Sequence, residues 1–360
     1  MMNTFSVKFT AGSLELDVLV TVSDHYQKYK VEMITGEPNP SLLSRSATGT
    51  WTIDKPGSRA LTAEQFQELQ KAIDKHLFRQ HSASKILVLI DFSVSSVNAA
   101  KYAASLSHQL HSTHLIIYHS YNYLPVITTT IAPLSPEMIH SVEENEKKLE
   151  DLEIYLSKLV STSTTIEIIT DARPLSTAVN TITEQQQVGL IVMGITGKNA
   201  VERALVGSNT ITISRESKTA LLVVPNNVHF KAIEHVVLAC DLKDVSKSIP
   251  TYAINSFVKA LDASLSILYV NKAENETAPD AAKELAELHQ IWDQQQATYH
   301  YADHDDIEQG IIEFADEHAA DLLIAIPKDY GFLQNLFHRS LTKNLAFRSH
   351  IPLLIFKGLH

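Results

Sequence analysis

Cysteine is nearly absent: Cys240 is the single one in 360 residues, which excludes an internal disulfide framework and suits a reducing compartment. Glycine is scarce as well. The chain holds 11, about 3% against a usual ~7%, so any place where glycines gather is informative. A basic excess is missing too, since the formal net charge is −11 and residues 229–360 carry 11 Lys and Arg against 19 Asp and Glu. No Lys/Arg stripe with interleaved aromatics occurs, so nucleic acid is not an expected partner. Long apolar runs are lacking. The strongest, Lys85-ILVLI-Asp91 and Ile351-PLLIF-Lys357, fall far short of the roughly 20 residues of a membrane span. Met1 to Asp17 shows no basic stretch followed by an apolar core, so no secretory signal is read and the cytoplasm is the expected location. GxxxxGKS/T, GxGxxG and GxSxG are all missing, so P-loop, dinucleotide and α/β-hydrolase chemistries lack their motifs.

What is present falls into two grammars. Residues 4–54 alternate apolar and polar in short runs (Phe5-SVKF, Leu14-ELDVLVTV, Tyr29-KVEMI, Gly49-TWTI) between Gly, Pro, Asn and Ser, the pattern of antiparallel strands. Thr62 followed by Gln65 then predicts a capping box, with Phe66, Leu69, Ile73 and Leu77 on one helical face. Residues 1–82 are therefore expected to form a small β-sheet plus helix domain, with Trp51 a core residue rather than a partner anchor.

From Lys85 strand and helix alternate. Strands Lys85-ILVLI, Thr113-HLIIYH, Thr165-IEIIT, Gly189-LIVM and Ala220-LLVV are separated by helices over Ser96–Leu110, a stretch ending near Val160, Leu175–Gln187 and Asn209–Glu216. Strands joined by helical crossovers make a parallel sheet. The pattern then repeats, with strands His235-VVLAC, Ser264-LSILYV, Thr298-YHYA, Asp321-LLIAI and Pro352-LLIF, and helices over Ile249–Ala260, Ala281–Gln295, Ile307–His318 and Ser340–Phe347. At an offset of 132 positions, Ile169–Pro225 overlays Tyr301–Lys357 without a gap. The expected fold is thus α/β: two doubly wound, five-stranded parallel-sheet repeats of strand order 3-2-1-4-5, residues 83–228 and 229–360, behind the small antiparallel domain.

In such a sheet a ligand binds beyond the carboxyl ends of the strands, where strand order reverses. In the first copy that crevice lies between a strand ending at Asp91 and one ending at Met193-Gly194. There the glycines gather: Gly194, Gly197 and Gly207 fall within 14 residues, in the spacing Gly-x2-Gly-x9-Gly-Ser. Glycine lets backbone N–H groups approach an oxyanion, and a Gly-Ser opening a helix aims free amides at a phosphate. Plain turn residues and a Ser208 N-cap are the alternative reading. At the offset of 132, Gly194, Gly197 and Gly207 become Ile326, Asp329 and Arg339, with Ser340 matching Ser208. One ligand per chain is expected, in the first copy.

The spaced motif after a fourth strand, with ILVLID before it, resembles the nucleotide-binding pattern of universal stress proteins of the ATP-binding class. The resemblance covers residues 85–225 well and 231–357 more weakly. It implies ATP or another adenine nucleotide, with Mg2+, held by a regulatory module. By it, Asp91 would reach the adenine or ribose, and Leu89 and Ser120 would line the base pocket. Met193, Gly194 and Gly197 would lead the loop around ribose and phosphates, and Gly207, Ser208 and Asn209 would hold the phosphates. It further implies an edge strand that pairs across a dimer, which here would join Ala220–Val224 to Pro352–Phe356 as a pseudo-dimer within one chain. A homodimer and a protein partner of unknown kind remain open, as do slow ATP hydrolysis, nucleotidyl transfer and a scaffold that binds no nucleotide. His108, His111, His114 and His119 straddle a helix end and a strand, so they are not read as a metal site. The run Asp303–Glu308 is read as a solvated loop and helix start, and Cys240 as a packed thiol.

Overall fold

The computed structural model describes residues 3–12, 14–23, 28–34, 39–45, 51–58, 60–81, 83–121, 136–195, 209–271, 281–292, 296–327 and 351–358. Five strands open the chain: β1 (Asn3–Ala11), β2 (Leu14–Ser23), β3 (Lys28–Met33), β4 (Ser41–Arg45) and β5 (Trp51–Lys55). They form an antiparallel meander in that order. Period-two patterning decides which side is buried: Phe5, Val7 and Phe9 of β1 and Val18, Val20 and Val22 of β2 face inward. Against them lie Leu69, Ile73 and Leu77 of α1 (Ala63–His81), all fully buried. The capping box forms, with Thr62 N donating to Gln65 Oε1 at 3.1 Å and Gln65 N to Thr62 Oγ1 at 3.2 Å. Strand β4 was not expected. Its run Ser41-LLSR follows Asn39-Pro40, which reads as turn, and only Ser41 and Leu43 of the strand are buried.

The rest of the chain builds one ten-stranded sheet. The first copy contributes β6 (Lys85–Ile90), β7 (His114–Ser120), β8 (Thr165–Asp171), β9 (Leu190–Ile195) and β10 (Ala220–Pro225). Its helices are α2 (Val94–Gln109), α3 (Pro136–Leu156), α4 (Leu175–Gln186) and α5, residues 209–216. The second copy contributes β11 (His235–Cys240), β12 (Ser264–Asn271), β13 (Thr298–Asp303), β14 (Leu322–Ala325) and β15 (Leu353–Ile355). With it come α6 (Val245–Ser248), α7 (Thr251–Leu261), α8 (Ala281–Trp292) and α9 (Ile307–Glu317). The order β13-β12-β11-β14-β15-β10-β9-β6-β7-β8 is 3-2-1-4-5 in each copy. Residues 328–350, which include the expected helix Ser340–Phe347, lie outside the described residues.

The copies meet edge to edge. β10 and β15 pair antiparallel as Leu221↔Ile355, Leu222↔Leu354 and Val223↔Leu353. At the offset of 132, Leu354 is the copy of Leu222, so the central residue of the join pairs with its own counterpart and a pseudo-dyad passes through it. Each copy thereby covers the other's exposed edge.

The overlay needs one correction. β6 and β7 repeat as β11 and β12 at an offset of 150 (Lys85↔His114, His235↔Ser264), whereas Ile168 is matched through the sheet by Tyr299, 131 positions on. The second copy is therefore 19 residues shorter between its second and third strands. The offset of 132 holds from α4 and α9 onward, so the ungapped alignment is one residue out of register along β8 and β13. The helix expected over Ile249–Ala260 forms as α7, and a short helix, α6, that was not expected precedes it. Pro250, which has no N–H to donate, separates α6 from α7, while α2 of the first copy runs unbroken.

Candidate functional site

In the first copy β6 lies between β7 and β9. Pairing of β6 with β7 persists to Ile90↔His119, and that of β9 with β10 to Ile195↔Pro225, but pairing of β6 with β9 ends at Val88↔Val192. The two strands part at their carboxyl ends, opening a crevice where the chain order reverses. Alternation along the strands divides the sheet into two faces. Ile86, Val88 and Ile90 pack beneath α2 and α3, while Leu87, Leu89, Ile116, Tyr118, Ile191 and Met193 pack beneath α4.

Leu89, Asp91, Ser120 and Met193 share the α4 face by this alternation. Leu89 and Met193 are buried in its apolar cluster. Asp91 is exposed at the crevice mouth, where its Oδ1 accepts from Ser93 N at 2.9 Å and its own N–H donates to Ser96 Oγ at 3.3 Å. Ser93 in turn caps α2 through Ser96 N at 3.2 Å. Burial works against the charge of Asp91, but hydrogen bonds from Ser93 and Ser96 outweigh it and hold the carboxyl below the ordinary carboxylate range. It is an ionised acceptor at neutral pH. Phe92 beside it has φ +61°, a left-handed conformation that bulky residues rarely adopt, so the turn is fixed by its surroundings.

Gly194 stands on the opposite face. A Cβ there would lie 2.1 Å from Ser95 O and 2.3 Å from Ser95 C, so the first turn of α2 packs on β9 only because this residue lacks a side chain. Packing thus accounts for Gly194 without a ligand. Asn209 is exposed at the start of the described part of α5. Gly197, Gly207 and Ser208 lie outside the described residues.

The structure adds a group that sequence reasoning missed. At the ends of β7 and β8, Tyr118 Oη donates to Asp171 Oδ1 at 2.9 Å, and Arg173 Nε donates to Asp171 Oδ2 at 2.7 Å. Arg173 N also donates to Asp171 Oδ1 at 2.9 Å, and Ser120 Oγ donates to Arg173 O at 3.3 Å. Burial and the neighbouring Asp171 push the Tyr118 hydroxyl up to about 12, so it stays a proton donor. Burial opposes the charge of Asp171, yet hydrogen bonds from Arg173 and Tyr118 hold its carboxyl low. The available signal was Asp171-Ala-Arg173-Pro174, opposite charges two apart at a strand exit.

The second copy has the same parting of strands, since β11 and β14 pair only to Leu238↔Ile324, but not the same lining. Leu89, Tyr118 and Ser120 are replaced by Ala239, Leu268 and Val270, and Asp171 is matched in the sheet by Ala302. Counting back from α9 puts Asp305 where Arg173 stands. Beneath α9, a Cβ on Gly310 would lie 2.8 Å from His304 Cβ and 3.0 Å from Val270 Cγ1, so these side chains fill the region. Asp241 alone corresponds to Asp91.

The remaining features have structural partners. His108 Nε2 bonds Leu159 O at 2.7 Å and buried His119 donates through Nδ1 to Ile90 O at 2.8 Å. Among the described residues no group of three His, Cys, Asp or Glu is placed to hold a metal. Asp306 caps α9 by accepting from Gln309 N at 3.2 Å. Trp51 packs on Tyr29 at 4.5 Å between ring centroids and donates to Asp74 Oδ2 at 3.3 Å. No helix among the described residues is long and apolar enough to cross a membrane.

Two copies of a doubly wound α/β unit, joined through their fifth strands and with a crevice at each switch point, define the class of protein. The universal stress protein family profile matches residues 83–225 and again residues 232–357, and the chain belongs to that family. In solved structures it is similar to a universal stress protein from Archaeoglobus fulgidus DSM 4304, at 16% identity over 77% of this chain and 98% of that one, with TM-score 0.57. It is also similar to a functionally unknown protein from Pseudomonas aeruginosa PAO1, at 13% identity over 77% of this chain and 94% of that one, TM-score 0.46. A universal stress protein in complex with cAMP matches at 19% identity over 39% of this chain and 94% of that one, TM-score 0.29. A search of curated proteins finds no significant match.

Proposed function

We propose that the first copy binds an adenine nucleotide, and that the chain, organised as residues 1–82, 83–228 and 229–360, acts as a regulatory binding module in the stress response. One observation carries this reading: both copies part their first and fourth strands, but only the first carries, at the carboxyl ends of its strands, the polar residues Ser120, Asp171 and Arg173 in addition to the ionised Asp91, where the second has Val270, Ala302 and Asp305. Leu89 and Met193 offer an apolar floor for a base, and the carboxylate of Asp91 suits a ribose hydroxyl or an exocyclic amine. Among the described residues, the crevice offers magnesium Asp91 as its exposed carboxylate, so the ion would come with the phosphates it bridges. The second copy, with its polar lining replaced, serves as the structural half.

The test is calorimetric titration of the whole chain with Mg-ATP. Asp91→Ala is expected to weaken binding about tenfold or more, the usual cost of a lost charge-assisted hydrogen bond, while Asp241→Ala in the second copy leaves it unchanged. If no adenine nucleotide co-purifies and millimolar Mg-ATP gives neither heat nor a thermal shift, the reading fails. Phosphate release above background in the wild type, lost in Gly207→Arg, would replace the binding module by an enzyme.

A further inference from the structure

The guanidinium of Arg173 is held more elaborately than a surface ion pair requires. Its Nε and Nη2 both face Asp171 Oδ2, its backbone N–H is taken by Oδ1, and the hydroxyl of buried Tyr118 braces the same carboxylate. Ser120 ties the Arg173 carbonyl to the end of β7. The Asp171 side chain is 20% exposed and that of Arg173 44%, so the carboxylate is largely consumed while the guanidinium keeps an outer edge. With the Nε–Nη2 edge engaged, the Nη1 donors face away from the carboxylate. An exposed ion pair by itself contributes little to stability, and the second copy folds the same sheet with Leu268, Val270, Ala302 and Asp305 in these places. Fold maintenance therefore does not explain the arrangement. Position does: Asp171 continues the alternation of Ile169, and Tyr118 lies with Leu89 and Met193, so the group stands on the face of the candidate base pocket at the end away from β9.

We propose that Arg173 is a specificity-determining residue of the first copy, donating from its outer edge to an acceptor on the base of a bound nucleotide, with Asp171 and Tyr118 as the residues that position it. This rests on the nucleotide-binding reading. A guanidinium has donors and no acceptor, so it discriminates between bases by where they present acceptor atoms and where they present amines. Its planar fork gives direction as well as charge, which lysine does not reproduce.

The experiment measures affinities of the full chain for Mg-ATP, Mg-GTP and Mg-CTP. The wild type is expected to separate the best and worst of the three by at least about fivefold. Arg173→Ala should weaken the preferred nucleotide about tenfold and bring the three within about twofold, with Tm in the absence of nucleotide nearly unchanged. Arg173→Lys should keep part of the affinity without restoring the selectivity, and Asp171→Asn, which frees the guanidinium, should lose selectivity in the same direction. If Arg173→Ala weakens all three by one common factor, Arg173 acts on phosphate charge and the proposal is overturned; unchanged affinities overturn it equally. A wild type that binds none of the three defeats the nucleotide reading itself, and a wild type that binds while every variant matches it defeats only this inference. Should the alanine variant fail to fold, Asp171→Asn and Arg173→Lys carry the same comparison.

Discussion

At the scale of single residues, Gly194 shows that packing alone can demand a glycine. Gly194 looks like the first member of a phosphate-binding spacing, yet its backbone neighbours in α2 already forbid a side chain. Gly194→Ala would force the first turn of α2 off β9, since the obstructing atoms belong to backbone and cannot rotate away. The expected loss is about 2–3 kcal/mol or more, in the range of overpacking at a rigid site, read as a lower urea midpoint with unchanged slope. Gly310→Ala meets His304 Cβ at 2.8 Å and Val270 Cγ1 at 3.0 Å, a milder overlap than with the α2 backbone, so its loss should be smaller. An equal effect of the two changes would contradict the packing account. The residues of the Tyr118–Asp171–Arg173 group were hidden in sequence for a plain reason. Tyr118 reads as one more apolar strand residue, and only strand neighbourhood brings its hydroxyl to a carboxylate 53 positions away.

At the scale of elements, the second copy shows what the pattern of apolar residues leaves undecided. The helix expected over Ile249–Ala260 forms as α7, but the short α6 before it, set apart by Pro250, was not expected, and α7 presents Tyr252 to the N-terminal domain. There Tyr252 Oη donates to Asp74 O at 3.3 Å and the Arg45 guanidinium lies 4.8 Å from the Tyr252 ring centroid. Elements are also tied at the segment between the copies. Asn98 of α2 donates to Pro225 O and Val228 O, and Asp321 at the start of β14 accepts from Glu234 N and His235 N, each at 2.9 Å, and pairs with Lys231. Burial raises the Asp321 carboxyl, but Lys231 and the two amides outweigh it and hold it below the ordinary value of 3.8. A depressed folded value means that its stabilisation is complete at neutral pH and is lost as pH falls through the ordinary value toward the folded one. Asp321→Asn should therefore lower the urea midpoint at pH 7 and differ less from wild type near pH 3. A gap that stays constant across that range would remove the titration of Asp321 from the explanation.

At the scale of the whole molecule, the antiparallel join of β10 and β15 converts two open sheets into one. Leu222 and Leu354, paired at the pseudo-dyad, are both fully buried. Leu354→Lys would place a charge there without a partner, and unfolding in urea should reveal a loss of at least about 3 kcal/mol. A smaller loss would mean that the join is not held by this apolar pair. Much of this architecture is legible in the sequence, because a parallel sheet demands strand and helix in alternation, and each copy leaves an apolar edge strand that must be covered. Register was not legible throughout: the one-residue slip between β8 and β13 reverses which side chains face α4 or α9, and no local pattern marks it.

The scarcity of cysteine and glycine, the alternation of elements and the repetition at a fixed offset determined the class of fold, the number of copies and which copy keeps its glycines. These are properties of local periodicity and composition, which act along the chain. Tertiary structure decided the rest. It parted β6 from β9, turned Leu89, Ser120, Asp171 and Met193 to one face and Gly194 to the other, and packed His304 and Val270 against Gly310 beneath α9 of the second copy. Those outcomes depend on neighbours far apart in sequence, where strand register and the contact of a helix with a strand set what each side chain can reach.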